Sequence, residues 1–91
     1  MGEKSLKLVI DTHTHTISSG HAYSTISENA AQARMNGMQA IAMTDHGPAL
    51  MGASTVLHFV NLGVIPEQID GVRIFRGAET DIMDFSGTLD I

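Results

Sequence analysis

The sequence contains no cysteine among its 91 residues. Disulfide bonds and thiolate-ligated zinc are therefore excluded, which leaves histidine, aspartate and glutamate as metal-ligand types. The absence of cysteine also fits a reducing compartment, and we expect a cytoplasmic protein.

Positive charge is scarce as well. Five Lys and Arg residues stand against ten Asp and Glu, which gives a formal net charge of -5, and no basic cluster occurs. Electrostatic binding to a nucleic-acid backbone is therefore not expected. No apolar run approaches the ~20 residues that span a bilayer, and the opening residues 1–5 lack the apolar core of a signal peptide. We expect no contact with a membrane.

The length and composition are those of a folded chain of one domain at most. Hydrophobic residues make up 43% and charged residues 16% of the chain, a balance that argues against disorder. At this size the core is small, and its stability is expected to be marginal.

The most informative stretch of the sequence is Asp11-Thr12-His13-Thr14-His15. It follows Leu8-Val9-Ile10, a β-branched run that predicts a buried strand, so His13 and His15 would lie at that strand's C-terminal end. Side chains at i and i+2 of a strand point to the same face, which lets two imidazoles approach one ion. The pair predicts a metal site, since neutral imidazole is a common ligand.

The next segment predicts a parallel βαβ unit. A helix begins after Thr25 or Ser27, either of which is a credible N-cap. Residues 39–44 form a near-continuous apolar run, typical of a strand buried on both faces. A narrow stripe of mostly small residues on one face of this helix would let it pack closely on the sheet: Ile26, Ala30, Ala33 and Gly37. Gly37 would end the helix in the left-handed conformation.

Metal-ligand residue types follow two further predicted strands. His46 comes directly after the strand at residues 39–44, and Glu79 ends a strand predicted for residues 72–79. Between them, residues 49–53 read as a loop, residues 54–61 as a short helix capped by Ser54, and residues 66–71 as a polar connection. Residues 80–91 indicate a hairpin. In parallel α/β folds, functional groups collect at the carboxyl ends of strands.

The sequence therefore places candidate ligands at three successive strand ends, and His21 follows from the first loop. A carboxylate can bridge two cations, so Glu79 is the natural bridging residue in a site with several metals. Histidine and glutamate suit zinc, manganese and iron alike, so they do not identify the metal.

Four ordered motifs carry a resemblance to a known family. They are Asp-x-His-x-His, His-Ala-Tyr-Ser-Thr, Thr-Asp-His-Gly-Pro and Arg-Gly-x-Glu, spread over residues 8–79. Together they resemble the amino-terminal part of the PHP (polymerase and histidinol phosphatase) domain family, most of all the YcdX-like PHP phosphatases. The resemblance implies a distorted (βα)7 TIM-like barrel with up to three divalent metals, most often zinc and sometimes manganese or iron.

The resemblance also implies an activity and roles for the ligands. His13 and His15 would bind one metal, which Glu79 shares with a second, while His21 and His46 help to hold the third. The expected reaction is hydrolysis of a small phosphorylated substrate by a metal-bound hydroxide, with no side-chain nucleophile. The sequence does not distinguish among phosphoester substrates.

The chain differs from the family pattern in extent. Three four-coordinate metals need about twelve ligand positions, which five side chains do not supply. We therefore expect residues 1–91 to be the N-terminal βαβαβ portion of a single PHP domain, with an open sheet edge that a homo-oligomer or a complementing chain would complete. The alternative to a phosphoesterase is a non-catalytic metal-binding module, or a fragment that folds only with its missing part.

Several other residues have two interpretations each. Asp11 and Asp45 could orient a ligand imidazole from behind, or could simply cap a strand end. His58 lies in an apolar segment and is interpreted as a packed or pocket-lining residue, with substrate contact as the other candidate role. Arg73 shares the strand face of Glu79 and is a candidate phosphate contact, whereas Arg76 does not; both could pair with acidic neighbours.

Overall fold

The computed structural model describes residues 9–91, which form a four-stranded sheet and two helices. In chain order these are β1 (Ile10–Thr14), α1 (Ile26–Met35), β2 (Ala40–Met43), α2 (Val56–Asn61), β3 (Gln68–Ile69) and β4 (Val72–Arg76). Short 3-10 turns, Ile17–Ser19 and Leu62–Val64, follow β1 and α2. The α/β class predicted from the sequence is confirmed.

The sheet is mostly parallel, in the order β1-β2-β4-β3. β1 pairs with β2 and β2 pairs with β4 in parallel, so the predicted βαβ unit is present, and only β3 runs antiparallel to its neighbour. The carboxyl ends of β1, β2 and β4 therefore lie at one edge of the sheet. This edge carries the predicted ligands.

The first strand spans Ile10–Thr14, so His13 lies near its C-terminal end and His15 directly follows it, as predicted. The strand is not buried as predicted, since each of its residues is exposed or half-buried and Ile10 is 42% exposed. The ladder with β2 continues to Thr14, opposite Met43, after an irregularity that begins at Asp11. Leu8 and the opening segment at residues 1–5 lie outside the described residues.

Helix α1 follows the predicted small-residue pattern. Ala30 and Ala33 are 0% and 5% exposed and pack against the core residues of β2 and β4, which are Ile41, Met43, Val72 and Ile74. Thr25, rather than Ser27, is the N-cap: its hydroxyl accepts the Glu28 amide N–H, and the Glu28 carboxylate accepts the Thr25 amide N–H. Past the helix, Gly37 has φ +77°, as expected for a C-terminal glycine.

Three predictions in the second half of the chain were wrong. Helix α2 begins at Val56 after Thr55 and has no side-chain cap; Ser54 instead donates to the Ser18 carbonyl at 2.9 Å. The connection at residues 66–71 contains strand β3, because the positive φ angles of Asp70 and Gly71 turn the chain back onto β4. The strand predicted for residues 72–79 ends at Arg76.

Within residues 9–91, one face of the sheet is covered by α1, and the opposite face, here called the open face, is not. Ile10 and Phe75 on that open face are 42% and 45% exposed. The predicted hairpin at residues 80–91 is seen as an antiparallel bridge between Ile82 and Leu89.

Within residues 9–91 the longest helix has ten residues, and none is long and apolar enough to cross a membrane.

Candidate metal centre

The end of β1 directs two imidazoles toward the same point. The Nε2 atoms of His13 and His15 lie 2.9 Å apart. Glu79, which follows β4, lies beside both rings, with Oε1 2.7 Å from His13 Nε2 and 3.2 Å from His15 Nε2. Because side chains at i and i+2 of a strand point to the same face, the two imidazoles lie close together, as the His-x-His spacing predicts.

Glu79 and His46 are brought together by the backbone. Residues 46 and 79 form a parallel bridge beyond the ends of β2 and β4, in which the Glu79 amide donates to the Asp45 carbonyl and the Gly47 amide donates to the Glu79 carbonyl. The second carboxylate oxygen, Oε2, then lies 3.2 Å from His46 Nδ1. The two oxygens of Glu79 therefore face different histidines, which is the arrangement a bridging carboxylate requires.

His21 reaches the cluster because the preceding loop turns sharply. Gly20 has φ +84°, and a Cβ at this position would collide with the Gly52 carbonyl oxygen, so only glycine fits. The loop places the His21 ring centroid 4.9 Å from that of His46 and 5.9 Å from that of His15. His21 is the more exposed member of this group.

Two overlapping ligand groups result, and both contain His15. One is His15, His21 and His46, the other His13, His15 and Glu79, and in each the ligand atoms lie within 4.8 Å of one another. Two ligands on one tetrahedral ion, each ~2.0–2.1 Å from it, are separated by roughly 3.3 Å, which is close to the separations seen here. The donor set therefore fits a divalent transition metal.

The charge on Glu79 suits this role. The hydrogen bond from His13 lowers the pKa of the Glu79 carboxyl; burial opposes this shift, and the neighbouring His46, His13 and His15 add to it. Glu79 is therefore an anion near neutral pH, as a metal-binding carboxylate must be.

Behind the cluster lies a buried carboxylate, Asp45, which is 1% exposed. Its Oδ1 accepts the Thr16 amide N–H at 2.6 Å and the Ser19 hydroxyl at 2.8 Å, and its Oδ2 accepts the Thr16 hydroxyl at 2.8 Å. Burial alone would raise the pKa of Asp45, but these hydrogen bonds, together with nearby His58, lower it below its ordinary value. Within residues 9–91 Asp45 forms no hydrogen bond to a cluster imidazole, and Ser19, which bonds to both Asp45 and His15, lies between them.

Thr16 and Ser19 are the site residues that sequence reasoning missed. Both are buried, at 3% and 1% exposure. In the sequence they read as ordinary members of a polar loop, and the available signal was only their spacing of three residues across a short turn directly after a ligand. Their function depends on contact with Asp45, 26 or more positions away in the chain.

His58 lies against the same carboxylate. Its Nε2 is 3.1 Å from Asp45 Oδ2, yet the geometry is not that of a hydrogen bond, and this nitrogen is the one buried polar side-chain atom without such a partner in residues 9–91. The ring also lines an apolar cavity of about 420 Å³ beside Ile17 and Leu62. His58 is thus packed and pocket-lining, and its substrate contact stays a prediction.

Of the remaining candidates, Asp11 contacts the backbone of the cluster, and the two arginines have other partners. Asp11 Oδ1 accepts the His13 amide N–H at 3.1 Å, a strand-end contact, and its effect on an imidazole stays a prediction. Arg73 lies over the Phe75 ring, 5.1 Å from the centroid, on the open face. Arg76 donates to the carbonyls of Leu62 and Ile65. Within residues 9–91 neither arginine forms an ion pair.

Known proteins resemble this chain in sequence. The family model described as "PHP domain" matches residues 11–89. A protein of Thermoanaerobacter sp. (strain X514) named a probable phosphatase is 60% identical over 86 residues, which cover 94% of this chain and 35% of the relative. A probable phosphatase of Caldanaerobacter subterraneus subsp. tengcongensis is 54% identical over 90 residues, 99% of this chain and 35% of the relative.

A third relative, from Acetivibrio thermocellus, is also named a probable phosphatase and is 58% identical over 86 residues, 94% of this chain and 36% of its own length. The chain thus spans about a third of the length of these curated relatives. With a family match over residues 11–89 and the five motif residues gathered at one sheet edge, the chain belongs to the PHP domain family.

Proposed function

We propose that this chain is the N-terminal portion of a metal-dependent phosphoesterase that uses a multinuclear metal centre to activate water. The observation that carries the proposal is the convergence of four imidazoles and one carboxylate at the carboxyl ends of three strands. The relatives' names, probable phosphatase, support the same reaction class. The substrate is a small phosphorylated molecule, and the location is cytoplasmic.

In this proposal His13 and His15 hold one metal and Glu79 shares it with a second, while His21 and His46 help to hold a third. Zinc is the leading candidate, with manganese and iron as the others. A bound divalent ion supplies Lewis acidity, which lowers the pKa of water from about 15.7 toward 7 and offsets phosphate charge.

The chain's own residues supply position and charge. The anionic Glu79 keeps one oxygen toward the β1 histidines and the other toward His46. The buried Asp45 accepts hydrogen bonds from Thr16 and Ser19, and these bonds fix the loop that runs from His15 to His21. Ligands fixed before the metal arrives lose little entropy on binding, which favours a defined site.

We further propose that the parent domain is a distorted (βα)7 barrel, of which this chain forms the first third. The open sheet face, with Ile10 and Phe75 about half exposed, supports this view, since a barrel would bury it. A homo-oligomer or a complementing chain would then supply the missing ligands. This incompleteness also favours the second candidate function, a metal-binding module or fragment without activity of its own.

The test is phosphate release from a generic phosphomonoester by the chain with added Zn²⁺ or Mn²⁺, and with a chelator. We expect metal-dependent hydrolysis above the metal-only blank, and Glu79→Gln should lower it at least about tenfold, since the substitution removes an anionic ligand. The matched control is Glu67→Gln, at an exposed site away from the cluster.

Two further measurements separate the alternatives. Stoichiometric metal by elemental analysis without hydrolysis would identify the non-catalytic module. A metal-free, poorly folded chain would identify a fragment. Sedimentation tests whether the chain needs a partner. A fully folded monomer would contradict the need for a homo-oligomer or a complementing chain.

A further inference from the structure

Ser19 connects the buried carboxylate to the candidate metal ligands. Its hydroxyl oxygen lies 2.8 Å from Asp45 Oδ1, 3.0 Å from His15 Nδ1 and 3.0 Å from the His46 amide nitrogen. The residue is 1% exposed, so water does not compete for these contacts. Three polar partners therefore surround one hydroxyl group.

The hydrogen atoms in these contacts can be assigned by counting donors. A serine hydroxyl has one hydrogen to donate and two lone pairs to accept with, whereas a carboxylate only accepts. Asp45 Oδ1 therefore takes the Ser19 hydrogen. The His46 amide N–H can only donate, so it occupies one lone pair of Ser19. The lone pair that remains can serve His15 only if Nδ1 of His15 carries a hydrogen.

We propose that Ser19, oriented by Asp45, is a positioning residue that holds neutral His15 in the tautomer protonated on Nδ1. The lone pair of His15 is then on Nε2, the atom that lies 2.9 Å from His13 Nε2 and 3.2 Å from Glu79 Oε1. This inference rests on the proposed function, because it treats His15 as a metal ligand.

The tautomer also fixes which nitrogen of His15 offers a lone pair, since a neutral imidazole with hydrogen on Nδ1 has its lone pair on Nε2. This nitrogen lies near His13 Nε2 and Glu79 Oε1, so the tautomer presents His15 to an ion that His13 and Glu79 would bind. Outer partners of metal-binding histidines fix tautomer and ring direction in this way, and a hydroxyl backed by a carboxylate can do so.

The first experiment reads the tautomer directly. Long-range ¹H–¹⁵N correlation spectra of the ¹⁵N-labelled, metal-free chain near pH 8 distinguish protonated from unprotonated ring nitrogens. The His15 signals are assigned by their loss in His15→Asn. We expect a protonated Nδ1 and an unprotonated Nε2. A protonated Nε2 in the unsubstituted chain would overturn the proposal without any Ser19 variant.

The second experiment compares Ser19→Ala with Ser18→Ala. Ser18 lies in the same turn, and its side chain makes no hydrogen bond within residues 9–91. Zn²⁺ affinity, measured by competition with a chromophoric chelator, should fall about 10- to 100-fold in Ser19→Ala and should stay within about twofold in Ser18→Ala. Ser19→Ala should also populate the other His15 tautomer.

An unchanged tautomer and affinity in a folded Ser19→Ala chain would refute the proposal. Far-UV circular dichroism reports whether this variant folds, and if it does not, the tautomer of the unsubstituted chain decides. These readouts are independent of hydrolysis. A chain with the expected tautomer that releases no phosphate would reject the proposed activity and keep this inference, whereas hydrolysis with a protonated Nε2 would do the opposite.

Discussion

Replacing Asp45 by Asn tests the buried hydrogen-bond network that supports the site. Asn has nearly the same shape, and its oxygen can still accept from the Thr16 amide and the Ser19 hydroxyl. Its NH₂ group replaces Oδ2, which accepts the Thr16 hydroxyl, so this bond must reverse, with the amide donating to the Thr16 oxygen. The substitution therefore makes all three hydrogen bonds neutral.

The expected cost follows from these three bonds. Hydrogen bonds to a charged group contribute about 1.5–3 kcal/mol each and neutral ones about 0.5–1.5 kcal/mol, so the three bonds lose roughly 1 kcal/mol each. Burying a neutral amide costs less than burying a carboxylate, which offsets part of this. We expect Asp45→Asn to lower the free energy of unfolding by about 2 kcal/mol, a large share of a small domain's stability.

The cost should depend on pH. Because the folded pKa of Asp45 lies below its ordinary value, the ionised group stabilises the fold fully above about pH 4, its unfolded pKa, and loses this contribution as pH falls through the folded value. The difference between Asp45→Asn and the unsubstituted chain should therefore be full at neutral pH and should shrink in acid.

Urea unfolding followed by far-UV circular dichroism measures both effects. With a slope of ~1–3 kcal/mol per molar urea, 2 kcal/mol shifts the midpoint by about 1 M. The control is Asp70→Asn, since Asp70 is exposed, is 4.0 Å from Arg34 and has φ 54°, which Asn tolerates. Equal midpoints for the two variants at neutral pH would refute the reasoning.

Three further substitutions test the fold, each by the same unfolding assay. Ala33→Leu should destabilise by about 1–3 kcal/mol because α1 packs closely on the sheet there, whereas Ala31→Leu on the exposed side should change little; equal effects would contradict the packing. Thr25→Ala should cost about 0.5–2 kcal/mol and Ser27→Ala almost nothing, and the reverse order would place the cap at residue 27. Gly20→Ala should destabilise by at least about 1–3 kcal/mol, because its Cβ meets the Gly52 carbonyl; a neutral result would mean that the loop has another path.

The sequence predicts best what strand geometry determines locally. The parallel relation of β1 and β2, the small-residue face of α1 and the common edge of His13, His15, His46 and Glu79 follow from period-two and helical patterns. That these residues bind metal stays a prediction. The choice of Thr25 over Ser27 could not be made, since both have cap chemistry.

Features that depend on contacts between distant segments were missed. Strand β3 is a local exception: it has only two residues and pairs with β4 across the two-residue turn Asp70-Gly71, a hairpin signal that the interpretation of residues 66–71 as a polar connection overlooked. Ser54 leaves its predicted cap role to reach the Ser18 carbonyl, 36 positions away. The bonds of Thr16 and Ser19 to Asp45 are of the same kind. None of these contacts leaves a periodic signal in the sequence.

The candidate ligands differ in how far their side chains are buried, and the more buried ones contact Ser19. The side chains of His15 and His46 are 21% and 17% exposed, and both adjoin Ser19, whereas the His13 side chain is 62% exposed. An exposed imidazole keeps rotamer freedom that binding must remove, so the more buried pair is better organised in advance. Under the proposed function, ligands from the rest of the domain would act chiefly beside the exposed His13 and His21, and the chain should bind metal more weakly alone than as part of that domain.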